Sequence, residues 1–243
     1  MIRIAAVGDI HLGPDNVDAF HDAVRSVDDD ADVLLLAGDL TRHGEVDEAA
    51  LVTHAVAGLD VPVVAVLGNH DHHAGRAQQV TDELESGGIT VLEGSSTTLE
   101  VAGCSLGIAG AKGFGGGFAG ACASDFGEPE MKAFVRHTKD IADQLRRTLA
   151  ALETDVRVAL LHYSPVEDTL RGERLEIFPF LGSYLLAEAI DGAGADLALH
   201  GHAHAGVEHG TTAGGTRVRN VAMPVIRSSY RVYELEPVLS GVS

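Results

Sequence analysis

Cysteine and positive charge are both scarce in this chain of 243 residues. Its two cysteines, Cys104 and Cys122, cannot form a disulfide framework and do not have the spacing of a thiolate zinc site. Lysine and arginine together number 17 against 36 aspartates and glutamates, a formal net charge of −19. Such an acidic surface repels polyanions, which disfavours nucleic acid and anionic membranes as partners.

Long apolar runs are also missing from the sequence. No stretch approaches the roughly 18 uninterrupted apolar residues that a membrane-spanning helix needs. The chain enters a predicted strand at its second residue, which leaves no room for a signal peptide, so we expect a cytoplasmic protein with no membrane partner. Apolar residues nevertheless form 45% of the chain, and 29 residues are glycine, as in a globular α/β protein rather than a disordered one.

Short apolar runs alternate with longer amphipathic segments along the chain. The runs are continuous and rich in β-branched residues, which predicts strands buried on both faces. The predicted strands are 2–7, 33–37, 61–67, 156–161 and 196–199. The predicted helices are 16–27, 45–59, 76–86, 129–152 and 183–191. We expect the last helix to be capped by Ser183 and to end before Gly192.

Two further regions show a period of 2 rather than a helical period. Residues 89–108 and 206–235 alternate in this way, which predicts antiparallel hairpins. No linker, repeat or low-complexity segment divides the chain. We therefore expect one domain over residues 1–236 and a short tail over 237–243.

Side chains of metal-ligand type follow almost every predicted strand. The five junctions read VGDIH (7–11), AGDLT (37–41), LGNHD (67–71), LLHYS (160–164) and HGHAH (200–204). Open α/β sheets bind ligands at the carboxyl edge of their strands, so residues remote in sequence converge there. In four junctions a glycine precedes the ligand-type residue, which lets the backbone turn sharply and approach the site closely. These glycines are Gly8, Gly38, Gly68 and Gly201.

The converging side chains offer oxygen and imidazole nitrogen but no thiolate. They are Asp9, His11, Asp39, Asn69, His162, His202 and His204. Such a mixture suits manganese, iron, zinc or cobalt better than Cu(I) or an iron–sulfur cluster. Seven ligands are too many for one transition metal and about right for two that share a carboxylate. Two-metal centres commonly serve phosphoryl displacement.

Five motifs follow one another over residues 8–204: GDxH, GDxx, GNHD, a lone histidine and GHxH. This ordered series resembles the motifs of the calcineurin-like metallophosphoesterase superfamily. The resemblance implies an α/β fold, a four-layer α-β-β-α sandwich of two mixed sheets flanked by helices. It implies two divalent or trivalent transition metal ions, manganese, iron or zinc. The first would bind Asp9, His11 and His204. The second would bind Asn69, His162 and His202, and Asp39 would bridge the two ions.

The same resemblance implies a phosphoesterase acting on a small soluble phosphodiester or phosphomonoester. A metal-bridging hydroxide would attack phosphorus. His70 would stand near the leaving group as a proton donor or electrostatic stabiliser, and Asp71 would orient its imidazole by a hydrogen bond. Arg42 and Lys112 are candidate substrate contacts. We expect His200 to be a buried, hydrogen-bonded histidine rather than a ligand.

Other functions of the same fold stay open at this point. The stretch GDLTRHGE resembles the second motif of a bacterial branch similar to cyclic-nucleotide phosphodiesterases, which favours a phosphodiester. A nuclease of the superfamily is disfavoured because the chain is acidic and lacks a basic stripe. A non-catalytic, metal-bound scaffold would show no turnover.

The glycine-rich stretch KGFGGGFAG (112–120) formally contains GxGxxG. The next predicted helix begins well beyond its last glycine, so a nucleotide-binding turn is disfavoured. A mobile lid over the metal edge and an ordered structural loop are equally compatible with the sequence.

Overall fold

The structure is a computed structural model that describes residues 1–237. Its strands are β1 Ile2–Val7, β2 Val33–Ala37, β3 Val63–Val66, β4 Thr90–Val91, β5 Ser95–Val101, β6 Cys104–Ala111, β7 Gly117–Phe118, β8 Ala121–Cys122, β9 Val156–Leu161, β10 Leu197–His200, β11 His209–Thr211, β12 Arg217–Asn220 and β13 Arg231–Leu235. Its helices are α1 Val17–Val24, α2 Val27–Asp30, α3 Val46–Val56, α4 Ala77–Ser86, α5 Pro129–Ala150, α6 Phe178–Leu181, α7 Tyr184–Ala193 and α8 Met223–Ile226. Within this range no helix has both the length and the hydropathy needed to cross a bilayer.

Two mixed sheets form the centre of the fold. The first has the strand order β13-β1-β2-β3-β4, and only its edge strand β13 is antiparallel to its neighbour. The second has the order β11-β12-β10-β9-β6-β5, with four parallel strands between two antiparallel edges. The strands β7 and β8 form a separate small ribbon. The parallel strands place their carboxyl ends along one edge of each sheet.

Alternation along the strands of the two large sheets divides their apolar residues among three cores. In β2, Leu35 faces the core between the two sheets, while Leu34 and Leu36 face the core beneath α1, α3 and α4. In β9, Val158 belongs to the inter-sheet core and Ala159 to the core beneath α5 and α7. The layers are therefore helix, sheet, sheet and helix, which confirms the predicted α/β sandwich.

Several predicted elements need correction. The region 206–235 holds the hairpin β11–β12, but β13 leaves it and pairs with β1 in the other sheet. Its alternating pattern marks half-buried strands and does not identify their partners. The predicted helix 16–27 is interrupted after Val24 and resumes as the short helix α2. The predicted tail 237–243 lies, from residue 238 onward, outside the described residues.

Of the two caps predicted for helix α7, the N-terminal one is confirmed and the C-terminal one is wrong. Ser183 caps it as predicted, because its side chain accepts a hydrogen bond from the Leu185 amide at 3.3 Å. Gly192 lies inside the helix rather than beyond it, and the left-handed C-cap residue is Gly194, with φ of 77°. Two nearby glycines offered the same sequence signal, and only the second is at the turn.

The glycine-rich stretch 112–120 is built into the fold. The amides of Gly116 and Gly117 donate to the carbonyls of Pro179 and Gly182, at 2.7 and 2.8 Å. Phe118 is buried. These contacts match the structural-loop alternative, since the backbone is tied to the segment that carries α6.

Candidate metal centre

The predicted ligands come together where the two sheets share a carboxyl edge. Asp9 and His11 follow β1, Asp39 follows β2 and Asn69 follows β3 in the first sheet. From the second sheet, His162 follows β9, and His202 and His204 follow β10. Residues more than 190 positions apart thus make direct contact: the His204 Nε2 atom lies 2.8 Å from Asp9 Oδ1.

Three groups of side chains are close enough to share an ion, and the third, His11, Asp39 and His70, shares one residue with each of the other two. In the first, ligand atoms of Asp9, His11 and His204 all lie within 4.8 Å of one another. In the second, the same holds for Asp39, His162 and His202. Asp39 joins the groups, because its Oδ1 lies 3.4 Å from His162 Nε2 and its Oδ2 lies 3.9 Å from His11 Nε2.

Backbone carbonyls orient three of the four predicted ligand imidazoles. One ring nitrogen of each donates to a carbonyl: His11 Nδ1 to Thr41 at 3.3 Å, His162 Nδ1 to Ala37 at 2.9 Å and His202 Nε2 to Phe180 at 3.2 Å. This fixes the tautomer and leaves the lone pair of the other nitrogen available to a cation.

The contacts of His162 test whether a metal suits these residues. Its Nε2 atom lies 2.9 Å from Asn69 Oδ1 and 3.4 Å from Asp39 Oδ1. With the ring proton on Nδ1, three electron-pair donors face each other, an arrangement that a cation stabilises. Oxygen and imidazole donors without thiolate fit manganese, iron or zinc.

The protonation states favour metal binding in most positions. Burial lowers the pKa of His11 and lowers that of His202 to about 3, so both rings are neutral. Burial alone would raise the pKa of Asp9, but its hydrogen bond with His204 and nearby imidazole charges lower it overall. The hydrogen bond to Asp9 raises the pKa of His204, so below this raised pKa a metal displaces a proton from the ring.

The backbone is strained at the predicted ligands. Six described residues other than glycine have positive φ, and four of them are predicted ligands: Asp9 at 58°, His11 at 42°, Asp39 at 51° and His202 at 68°. Left-handed backbone is unfavourable for residues with a Cβ and concentrates at functional sites. The strain is thus located where the chain turns its ligands toward one another.

Three glycines next to the predicted ligands have no room for a side chain. A Cβ at Gly38 would lie 2.6 Å from His162 Nδ1, and this glycine also has φ of 80°. A Cβ at Gly68 would overlap Asp39 Oδ1, and one at Gly201 would overlap Asp9 Oδ2. The expected close approach of backbone to the site is confirmed at these positions.

His70 lies beside Asp39, but Asp71 does not touch its ring. His70 Nδ1 donates to the Arg42 carbonyl at 2.7 Å, and its Nε2 lies 4.0 Å from Asp39 Oδ2. Asp71 is buried and accepts hydrogen bonds from the Thr41 amide at 2.8 Å and the Gly68 amide at 2.7 Å. The expected hydrogen bond from Asp71 to His70 is therefore wrong, and the Arg42 carbonyl orients the imidazole.

The two candidate substrate contacts differ in their surroundings. The Arg42 guanidinium forms an ion pair with Asp15 at 2.6 Å and donates to the His11 carbonyl at 2.8 Å, so its head group is engaged within the protein. Lys112 is half-buried, and its carbonyl accepts hydrogen bonds from the amides of His162 and Tyr163. Lys112 is thus tied to the end of β9.

Tyr163 belongs to the site although it was not predicted. Its ring centroid lies 4.4 Å from that of His202 and 5.5 Å from that of His162. Burial raises its pKa to about 12, so the phenol is neutral. Its position directly after His162 was the available signal.

His200 has the environment expected of it. The residue is fully buried, and its Nδ1 atom donates to the Gly201 carbonyl at 2.7 Å. Its Nε2 atom lies 2.9 Å from the Thr169 hydroxyl. Both ring nitrogens are therefore engaged within the protein.

Fold and site together define an α/β protein with a carboxylate–histidine cluster at the shared edge of two stacked sheets. Residues 2–206 match the model of the calcineurin-like phosphoesterase family, and the chain belongs to this family. The resemblance seen in the motifs is thereby confirmed.

Solved structures of the same fold include two that the chain covers almost completely. Phosphopantetheinyl hydrolase (PptH) from Mycobacterium tuberculosis is 16% identical, with 98% of each chain covered and a TM-score of 0.72. TT1561 of Thermus thermophilus is 16% identical, with 97% of this chain and 99% of that one covered and a TM-score of 0.59. At such identities the likeness shows the fold alone. No curated protein matches the chain.

Proposed function

We propose that this chain is a dinuclear metal-dependent phosphoesterase that hydrolyses a P–O bond of a small soluble phosphodiester. The observation that carries the proposal is the pair of ligand groups joined through Asp39. Asp9, His11 and His204 would hold one metal ion, Asn69, His162 and His202 the other, and Asp39 both. When bound, two such ions polarise the phosphoryl oxygens and activate water for in-line attack.

Groups of the protein hold the Asp39 carboxylate in place and would position a proton donor for the leaving group. Asp39 is held by the His70 amide, which donates to its Oδ1 at 2.8 Å, so the carboxylate is fixed before any ion binds. The His70 side chain is 45% exposed, and its Nε2 faces the cluster, where it can reach a leaving-group oxygen. His70 would stabilise or protonate that oxygen, and Asp71 would act indirectly by joining the loops after β2 and β3.

Two separate cavities beside the cluster favour a diester over a monoester. A groove of about 410 Å³ is lined by Met131, Phe134 and Phe180, and the Phe180 carbonyl holds His202. A second cavity of about 380 Å³ is lined by His72 and Lys112 on the His162 side. A diester carries two substituents on phosphorus, and each cavity is large enough for a small organic group.

The direct test is turnover by metal-loaded protein. With manganese, a chromogenic diester such as bis(4-nitrophenyl) phosphate should be hydrolysed, and faster than 4-nitrophenyl phosphate. Asp39→Asn should reduce kcat/KM at least about 100-fold, because even outer partners of metal ligands are worth 10- to 100-fold. The matched control, Asp22→Asn, changes an exposed carboxylate on α1 and should retain activity.

A lack of turnover by the metal-loaded protein on a broad panel of monoesters, diesters and single-stranded DNA would contradict the proposed enzymatic function. It would favour the non-catalytic, metal-bound scaffold. Cleavage of DNA in preference to small diesters would favour the nuclease alternative.

A second candidate is hydrolysis of a phosphopantetheinyl ester, the activity that the structural neighbour from Mycobacterium tuberculosis is named for. The apolar groove beside His202 favours it, because a long uncharged arm could lie along Met131 and Phe134. Phe180→Ala should then raise KM for a phosphopantetheinyl diester more than for dimethyl phosphate esters. Phe126→Ala, whose ring is 83% exposed outside the groove, is the control.

A further inference from the structure

Lys112 is unusual among the three lysines of this acidic chain. Lys132 is exposed, and Lys139 forms an ion pair with Asp125 at 3.1 Å. Lys112 is half-buried and makes no ion pair with any residue from 1 to 237. Lysine is rarely buried without a partner, because desolvation of an ammonium is costly.

Burial lowers the pKa of Lys112, and aromatic rings rather than an anion lie beside its ammonium. Its Nζ atom lies 5.1 Å from the ring centroid of Phe114 and 5.2 Å from that of Tyr163, which are cation–π distances. It has one long hydrogen bond, to the Gly113 carbonyl at 3.5 Å. An ammonium has three donors, so most of this hydrogen-bonding capacity is available to a ligand.

The ammonium belongs to the wall of a cavity of about 380 Å³. His72 and His137 contribute two imidazoles to the same wall, and Gln144 contributes an amide. One carboxylate, Glu93, also lines the cavity, where it accepts a hydrogen bond from the Leu67 amide at 3.3 Å and attracts Lys112 from beyond ion-pair distance. The ammonium, the two imidazoles and the amide can thus all donate to an anion.

This cavity adjoins the predicted second metal site through the backbone. The Lys112 carbonyl accepts hydrogen bonds from His162 at 3.0 Å and from Tyr163 at 2.9 Å. On the other side, the His72 amide donates to the carbonyl of Asn69 at 3.3 Å. The charge of Asp39 also acts on both His72 and Lys112, so the wall of the cavity lies near the carboxylate that joins the two ligand groups.

We propose that the cavity is a subsite for an anionic substituent of the substrate, a carboxylate or a second phosphate, and that Lys112 binds it. The proposal rests on the proposed function and narrows its substrate to esters with a second acidic group. The net charge of −19 repels anions over the rest of the protein, so the half-buried Lys112 ammonium would determine where the acidic end of the substrate binds. Lys112 would thereby determine which esters the protein selects.

Phosphonates that are not hydrolysed provide the test. We would titrate the manganese-loaded protein by calorimetry with ω-phosphonocarboxylates of increasing chain length and with their neutral carboxamides. Alkane bisphosphonates, compared with monophosphonates, form a second arm that separates phosphate from carboxylate. At the chain length that reaches the cavity, the charged member of a pair should bind about 10- to 100-fold more tightly, the range of a charge-assisted hydrogen bond.

Lys112→Met should abolish this preference for charge, and Lys112→Arg should retain part of it. Lys139→Met removes an exposed ammonium and should leave the preference unchanged. Equal binding of charged and neutral members at every chain length, or a preference that survives in Lys112→Met, would overturn the subsite while leaving the phosphoesterase intact. Failure of every phosphonate to bind the metal-loaded protein would count against both proposals.

Discussion

At the scale of single residues, the site depends on glycines that have no room for a side chain. A methyl group at Gly68 would overlap Asp39 Oδ1 and push away the carboxylate that joins the two ligand groups. We expect Gly68→Ala to weaken metal binding at least about tenfold, the lower range for disturbing a ligand's support. Manganese titration by calorimetry measures the effect.

Gly192→Ala is the matched control for that substitution. Gly192 lies inside α7, and its added Cβ would meet only the Arg146 side chain, at 3.8 Å. Metal affinity should be unchanged, and the free energy of unfolding should rise by about 0.5–1 kcal/mol because alanine favours helix over glycine. Equal metal affinity in both variants would show that the overlap at Gly68 is relieved without moving Asp39.

The proton on His204 makes metal binding depend on pH. Its hydrogen bond to Asp9 raises the folded-state pKa above the ordinary 6.5. The proton therefore stabilises the metal-free fold below pH 6.5, and this contribution is lost as the pH rises through the raised pKa. Because a metal requires the neutral ring, affinity should rise with pH over the same window and then level off.

Proton release measures this coupling. Calorimetry of metal binding in buffers of different ionisation enthalpy should show about one proton released at pH 6.5. Fewer should be released at a pH above the raised pKa, where His204 is already neutral. The same proton release at both pH values would contradict the role assigned to His204.

At the scale of secondary structure, the ends of β2 and β3 are joined by a buried carboxylate. Asp71 accepts hydrogen bonds from the amide and hydroxyl of Thr41 and from the amide of Gly68. Asp71→Asn would place an amide donor against these donors and should lower the free energy of unfolding by roughly 2–4 kcal/mol. Denaturant unfolding measures this, with Asp22→Asn as an exposed control.

The outcome separates two roles for Asp71. If Asp71→Asn loses stability and metal affinity together, the carboxylate acts by holding the loops that carry Asp39 and Asn69. If stability is unchanged but kcat falls, the carboxylate acts on the reaction itself, which would contradict its role in joining the two loops.

The secondary structure shows which local signals were sufficient. β1, β2 and β9 have the bounds predicted from their apolar runs, since a strand buried on both faces is continuous in sequence. The strand with which β13 pairs was not predictable in this way. Its alternation marks one buried face, but pairing with β1 depends on contacts across more than 200 residues.

At the scale of the whole molecule, the sequence predicted which residues converge but not how their surroundings are arranged. The five strand ends meet because parallel strands share an edge, a rule that operates on topology alone. The Lys112 cavity also needs His137 and Gln144 from α5, whose placement depends on packing against the second sheet. The ring of Tyr163 and the orientation of His70 depend on such packing as well.

The central claim concerns one chain holding two metal ions that share Asp39. A crystal structure of manganese-loaded protein, with anomalous scattering recorded from the metal, tests it most directly. We expect two anomalous peaks roughly 3.5–4 Å apart, with Asp39 between them. Asp9, His11 and His204 should contact one ion, and Asn69, His162 and His202 the other. A single peak in fully loaded protein, or two peaks of which Asp39 contacts only one, would contradict it.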